Sequence, residues 1–228
     1  ARARGARGGA PPHWFAVAAR HSSFAAYKEQ LFRRTLLHDR SPKGCVDERV
    51  LGILEELNRR DEFATTSSCS GRVLFISHAA AAETVALGAV LPGVRTTTGR
   101  WRVSHDEIMD AEAYFSLETE PLREHRDHLW LMVQPFDLHV ACASTADAHR
   151  LLALARRIFP RASLLAPERE WRSLVSIQGN QRLEMPFALG GQLVYSGCLG
   201  HLARIINGKL GKNWSAMERL QELLHREL

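Results

Sequence analysis

No two of the sixteen glycines in this 228-residue chain stand at positions i and i+2. That absence argues against the doubly wound nucleotide-binding folds, which place such a pair after the first strand so that backbone can approach a cofactor. No GxxxxGK[ST] run for cradling phosphates occurs either. What remains is a series of short β-rich segments with helical patterning at both ends. Phe24, Tyr27, Leu31 and Phe32 recur at helical spacing, and their helix should stop before Ser41-Pro42, because a residue preceding proline is pushed out of the α region. Beyond Asp47, a second helix carries Val50, Ile53, Leu54 and Leu57. Strands are expected at Phe63–Ser67 and Arg72–Ser77 on either side of a Cys69-Ser70-Gly71 turn, and at Trp101–Ser104. Others are expected at Leu129–Val133 and Phe136–Cys142, parted by Pro135, and at Ser163–Leu165, Leu174–Ile177 and Leu183–Phe187. Asp106 should open a helix with Ile108, Ala111 and Phe115 inward, and Thr145 to Phe159 reads as another. Two terminal stripes, Leu199/Leu202/Ile205/Ile206 and Trp214/Met217/Leu220/Leu224, predict two helices broken at Gly208 and Gly211. The expectation is an α+β fold, non-Rossmann, with a mixed β-sheet, flanking helices and a long C-terminal helical segment.

Composition bounds the function classes. Apolar residues are 45% and charged residues 24%, a globular balance, and no apolar run approaches the roughly 20 residues of a membrane span. The net charge of +5 is accounted for by Arg2, Arg4, Arg7, Arg20 and Lys28, all ahead of the first acid, Glu29; the rest holds 25 basic and 25 acidic residues. Contact with RNA therefore has to come from a local patch. The cysteines, Cys45, Cys69, Cys142 and Cys198, are nowhere closer than 24 residues, so neither a zinc ribbon nor a dense disulfide framework is expected. A reducing, cytoplasmic compartment follows, with the Arg/Ala-rich, acid-free start as an alternative organellar signal. The chain begins at Ala rather than Met, as a fragment or processed form would. Residues 1–21 read as a disordered tail and 22–228 as a single domain, with a mobile loop over the aperiodic stretch 79–99.

Two segments are dense in polar chemistry. In Thr65-Thr66-Ser67-Ser68-Cys69-Ser70-Gly71-Arg72, backbone N–H groups of the turn can converge on an anion, and Arg72 adds a bidentate donor. The competing reading is a plain Ser/Thr-rich hairpin. Cys69 as a nucleophile is a minor alternative. In Ser41-Pro42-Lys43-Gly44-Cys45-Val46-Asp47, Lys43 sits on a tight loop ahead of a helix N-terminus, and Asp47 is either the helix cap or a functional carboxylate. Among the histidines, His105 follows a strand, and His139 lies within the apolar strand Phe136–Cys142, where a core role competes with a base. His125-x-x-His128 has metal-like spacing on an expected helix but no third ligand, so no metal is expected.

Together with Pro135-Phe136-Asp137-Leu138-His139-Val140, these two segments resemble, in order and separation, the tRNA wybutosine-synthesizing protein 3 family. Weaker matches are Trp101 with His105, Arg182 and Glu184 before Pro186, Tyr195, and Asn207 with Lys209, so that the resemblance runs from about Phe24 to Leu224. Position 45 is cysteine where the family usually has serine, and Gln134 stands where an acid is common. The resemblance implies a non-Rossmann α+β methyltransferase using S-adenosylmethionine. Its substrate would be N4 of a tricyclic, guanosine-derived base, 4-demethylwyosine bearing an aminocarboxypropyl chain, in the anticodon loop of phenylalanine tRNA. Positioning alone can supply ~7–11 kcal/mol in such a displacement, so a general base is optional. Asp47 or His139 would serve where the nitrogen carries a proton. Lys43, Ser67, Ser68, Cys69, Ser70, Arg72, Trp101, His105, Arg182 and Glu184 would hold cofactor or base, with Trp101 or Phe136 stacking on a ring. The alternative function is a non-catalytic tRNA-binding module of a longer pathway protein. The oligomeric state is left open.

Overall fold

The computed structural model describes residues 23–37, 46–78, 98–116, 128–169, 172–190, 192–195 and 197–228. The expected tail lies outside them, as do Lys43, Cys45, His125 and most of the expected loop, although Thr98 and Gly99 already belong to a strand. Helices α1 (Phe24–Leu37) and α2 (Glu48–Asn58) precede β1 (Phe63–Cys69), β2 (Arg72–His78) and β3 (Thr98–Ser104). A short α3 (Ala111–Ser116), β4 (His128–Gln134), β5 (Asp137–Cys142) and α4 (Thr145–Arg156) come next. The chain continues through β6 (Ser163–Arg169), β7 (Arg172–Gln178), β8 (Leu183–Leu189) and β9 (Gln192–Leu193), and closes with α5 (Leu199–Glu227). No helix among the described residues is long and apolar enough to cross a membrane.

The expected α+β class holds, but the sheet is not one and not mixed. There are two sheets, ordered β1-β5-β7-β6 and β3-β2-β4-β8-β9, and every described pairing is antiparallel. Strands β1 and β2 do not form a hairpin. β1 pairs with β5 in the first sheet and β2 with β4 in the second, so residues 70–71 carry the chain from one sheet to the other. Residues 135–136 make the reverse passage between β4 and β5, and residues 179–182 cross once more from the first sheet to the second between β7 and β8. Three crossings thus gather at one seam.

Alternation in the strands sets the core. Leu129, Leu131 and Val133 of β4 are buried, while the residues between them are half-exposed. Under the second sheet Phe75, Phe115 and Phe187 pack ring on ring, with Phe75–Phe187 centroids 5.1 Å apart and Phe115–Phe187 5.6 Å. Phe136 is fully buried against Phe159 at 5.2 Å, so it belongs to the core and has no face to offer a base.

Helix α5 runs unbroken for 29 residues through Gly208 and Gly211, contrary to the expected break. Two glycines cost a helix about 1 kcal/mol each. The same helix buries Leu202, Ile206, Leu210, Trp214, Met217, Leu220 and Leu224, each worth about 1.5–3 kcal/mol, and tertiary packing wins. Ile205, expected inward, is 54% exposed. The helix expected from Asp106 begins only at Ala111, and His128 opens β4 rather than lying on a helix.

Candidate functional site

Asp47 occupies the N-cap position of α2 with an extended backbone (φ −66°, ψ 129°), yet its carboxylate makes no capping bond. It reaches across the seam instead. Oδ2 accepts a hydrogen bond from the Ser70 N–H at 3.1 Å and another from the Ser70 hydroxyl at 3.0 Å. Asp47 is 9% exposed and Ser70 is 1% exposed, so these bonds form away from water and satisfy groups that would otherwise be costly to bury. His105 Nδ1 lies 3.1 Å from the same carboxylate oxygen, out of line for a hydrogen bond. The Asp47 side chain therefore does not cap the helix that it precedes.

Cys69 completes this group: its sulfur, a ring nitrogen of His105 and a carboxylate oxygen of Asp47 all lie within 4.8 Å of one another. Such a trio has the donor types of a metal site. Burial, however, pushes the Cys69 thiol above its ordinary range, and Asp47 is already committed to Ser70. The raised thiol weighs against Cys69 as a free nucleophile, whereas a bound metal would deprotonate it, so the trio keeps the donor set of a candidate metal site.

The turn is held from behind by Asn213 of α5. Its Nδ2 donates to the Ser70 carbonyl at 2.8 Å, and its Oδ1 accepts from the Phe136 N–H at 2.8 Å. One buried amide thus joins two of the three crossings; the third is tied in by Gly179 N–H donating to the Phe136 carbonyl at 2.8 Å. Gly71 has φ +99°, and a Cβ there would come within 2.8 Å of Asn213 Nδ2, so both conformation and space require glycine. Farther along α5, Asn207 accepts from the Ile108 N–H at 2.9 Å and donates to the Ile108 carbonyl at 3.0 Å, which fixes the segment following His105.

Arg72 emerges from the turn onto the second sheet. Its Nε donates to Gln134 Oε1 at 2.7 Å, and its terminal nitrogens make no hydrogen bond among the described residues. A carboxylate at 134 would neutralise this guanidinium; glutamine orients it and leaves its charge available. Glu184 lies opposite Met132 and so shares this sheet face, whereas Arg182 precedes β8 in the third crossing; both are exposed.

Register separates the serines. Ser67 pairs with His139 and Cys69 with Asp137, so these four share one face of the first sheet, while Ser68 pairs with buried Leu138 on the opposite face. The hydroxyls do not all converge as the sequence suggested. His139 is half-exposed, with Nε2 3.9 Å from Asp137 Oδ1, and that carboxylate oxygen is buried without a hydrogen bond. Trp101 lies in β3, at the irregularity opposite Phe75 and Ile76. Lys43 lies outside the described residues.

The structure thus brings together Asp47, Cys69, Ser70 and His105, with Arg72 following directly along the chain and Asp137 and His139 on the strand beside Cys69. It adds Asn213, Gln134 and Asp137, to which sequence reading assigned no role. Asn213 had a signal: an amide at a core position of an amphipathic helix, between Leu210 and Trp214.

Comparison with known proteins places this geometry. Residues 25–226 match the family described as Methyltransferase TYW3. The tRNA wybutosine-synthesizing protein 3 homolog of Mus musculus is 30% identical, over 91% of this chain and 77% of that protein. The tRNA(Phe) 7-((3-amino-3-carboxypropyl)-4-demethylwyosine(37)-N(4))-methyltransferase 1 of Pyrococcus abyssi is 26% identical, over 79% of this chain and 86% of that one. Among solved structures, the PH1069 protein from Pyrococcus horikoshii superposes with a TM-score of 0.66 at 22% identity, covering 90% of this chain and 93% of that one.

Proposed function

The chain belongs to the Methyltransferase TYW3 family, and from that premise we propose that it transfers a methyl group from S-adenosylmethionine to N4 of the 7-(3-amino-3-carboxypropyl)-4-demethylwyosine base at position 37 of phenylalanine tRNA. The observation that carries this reading is the family match over residues 25–226, which spans every residue of the seam cluster. A cytoplasmic location accords with a tRNA substrate.

The donor set fits such a cofactor and such a base. Asp137 Oδ1 is a buried acceptor with no hydrogen bond among the described residues, suited to an ammonium or a ribose hydroxyl. The guanidinium of Arg72, whose terminal nitrogens bond no described residue, suits a carboxylate, which both the methionine moiety and the aminocarboxypropyl chain possess. The donor supplies, when bound, a methyl activated on a sulfonium for in-line displacement. The protein's own task is alignment. Asp47 holds the Ser70 turn and faces His105, acting as a positioning residue, because its carboxylate is already engaged. His139, half-exposed on the same sheet face as Asp137, would accept the proton where the nitrogen carries one.

Mass spectrometry of phenylalanine tRNA from cells lacking the protein tests the assignment. Accumulation of the N4-unmethylated base, reversed by the purified protein with S-adenosylmethionine, is expected; fully matured base in those cells would overturn it. Calorimetry with S-adenosylmethionine tests the donor separately, with weaker binding expected in Arg72→Ala.

A further inference from the structure

A cleft of about 650 Å³ opens between the end of α4, the third crossing and the exposed face of α5. Three cations line it: Arg161, Lys212 and Arg219. All three are exposed, none pairs with an acid among the described residues, and no carboxylate lines the cleft; Glu218 and Glu222 of α5 lie outside the lining. The folded chain is otherwise balanced in charge, with 25 basic and 25 acidic residues once the five leading cations are set aside. A carboxylate-free cationic hollow is therefore a local departure from the rest of the surface.

The floor is as telling as the charge. Gly208 and Gly211 line the cleft from α5, and a Cβ at either would meet nothing within 4 Å. The helix is bare there for lack of side chains, not because a neighbour needs the room, so a ligand's backbone can approach closely. Lys212 and Arg219 are seven residues apart on one helix, about 10 Å along its axis, a span suited to more than one phosphate. The cleft also borders the polar cluster. Asn213, whose amide holds Ser70 and Phe136, lines it, and so does Gln178, which pairs with Asp137 on the strand carrying His139.

We propose that this cleft binds the phosphodiester backbone of the tRNA substrate next to the methylated nucleotide. The inference rests on the functional reading above. The methyl donor is the less suitable occupant, because its sulfonium and ammonium outweigh its one carboxylate, making it a net cation that three unpaired cations repel. A polyanion is attracted, with binding that weakens steeply as salt rises.

The test measures binding of phenylalanine tRNA transcript by fluorescence anisotropy across salt concentrations, and binding of S-adenosylmethionine alone by calorimetry. Lys212→Ala/Arg219→Ala should weaken tRNA binding on the order of tenfold or more near 0.1 M salt and flatten the log–log salt slope by about 1.4 to 2. Donor affinity should be unchanged. Gly211→Glu, a substitution with room for its side chain, should weaken tRNA binding in the same way by charging the floor. Wild-type tRNA affinity and salt slope in both variants would overturn the proposal, as would loss of donor binding with tRNA binding intact. Because both readouts are binding to defined probes, they stand even if the base proves to be methylated at another position.

Discussion

Replacing Asn213 by alanine removes the one side chain that ties α5 to two sheet crossings. Asn213 is 2% exposed, and its two bonds to the crossings, to the Ser70 carbonyl and from the Phe136 N–H, are 2.8 Å long. Alanine leaves that carbonyl and that N–H buried without partners. Each orphaned group costs about 1–3 kcal/mol, so about 4 kcal/mol is expected for the pair, a large share of the roughly 5–15 kcal/mol that holds a domain together. A chain of this size loses about 2–4 °C of melting temperature per kcal/mol, which predicts a fall of about 10 °C. Urea unfolding followed by circular dichroism should show the midpoint drop with the slope preserved. Asn213→Asp keeps an acceptor for Phe136 N–H but turns a carboxylate oxygen toward the Ser70 carbonyl, so it should be at least as damaging. Below the melting transition, the displaced Ser70 turn should lower kcat/KM for methyl transfer by about tenfold or more. A stability loss under about 1 kcal/mol for the alanine variant would refute the argument, because the seam would then be held by something other than this amide.

Asp47→Asn preserves shape but removes the charge that holds Ser70 and faces His105; kcat/KM should fall about hundredfold while the circular dichroism spectrum is retained. Cys69, its thiol pushed up by burial, should alkylate with iodoacetamide more slowly at pH 8 than exposed Cys198, as read by peptide mass spectrometry, and Cys69→Ser should keep methyl transfer. Burial raises Cys142 to about 12. Its thiol therefore ionises first in the unfolded chain, and its contribution to stability is intact below about pH 9 and lost as pH rises toward 12, by up to about 4 kcal/mol. Urea midpoints across that window should fall more steeply for the wild type than for Cys142→Ala. If Asp47, Cys69 and His105 act without a metal, methyl transfer should survive EDTA treatment; activity lost to EDTA and restored by zinc would make the group a metal site.

Periodicity made the elements legible. Short β-rich runs located β4, β5, β7 and β8 to within a residue or two; β4 buries one face and leaves the other half-wet, whereas β8 buries only Phe187 and Ala188. Pairing was less visible. A glycine turn between two β-rich runs reads as a hairpin, and nothing local distinguishes it from a crossing between sheets; only the distant partners β5 and β4 decide that. Asp47 was legible as a position and not as a role. Helix-start chemistry placed it, but the preference for a cap is worth only about 1 kcal/mol, and two bonds to a buried serine outweigh it. The separation of Ser68 from Ser67 and Cys69 was not legible, because one residue of register moves a side chain to the other face.

The unbroken course of α5 has a consequence for the site. Gly208 and Gly211 fall between Asn207, which grips the segment after His105, and Asn213, which grips the Ser70 turn. The third arm, Asp47, comes from the start of α2, and α2 packs on the same helix: the guanidinium of Arg49 lies 3.8 Å from the centre of the Trp214 ring, next to Asn213. Three polar groups on three loops are thus all positioned by one rigid element. A kink at the glycines would rotate the His105 anchor away from the other two and separate a contact that is now 3.1 Å. Loops alone hold such a geometry poorly, whereas a helix with buried anchors on both sides of its weakest turn holds it well. The glycines can then bare the outer face of α5 without loosening the inner one, because the packing of Ile206, Leu210 and Trp214 keeps that turn helical.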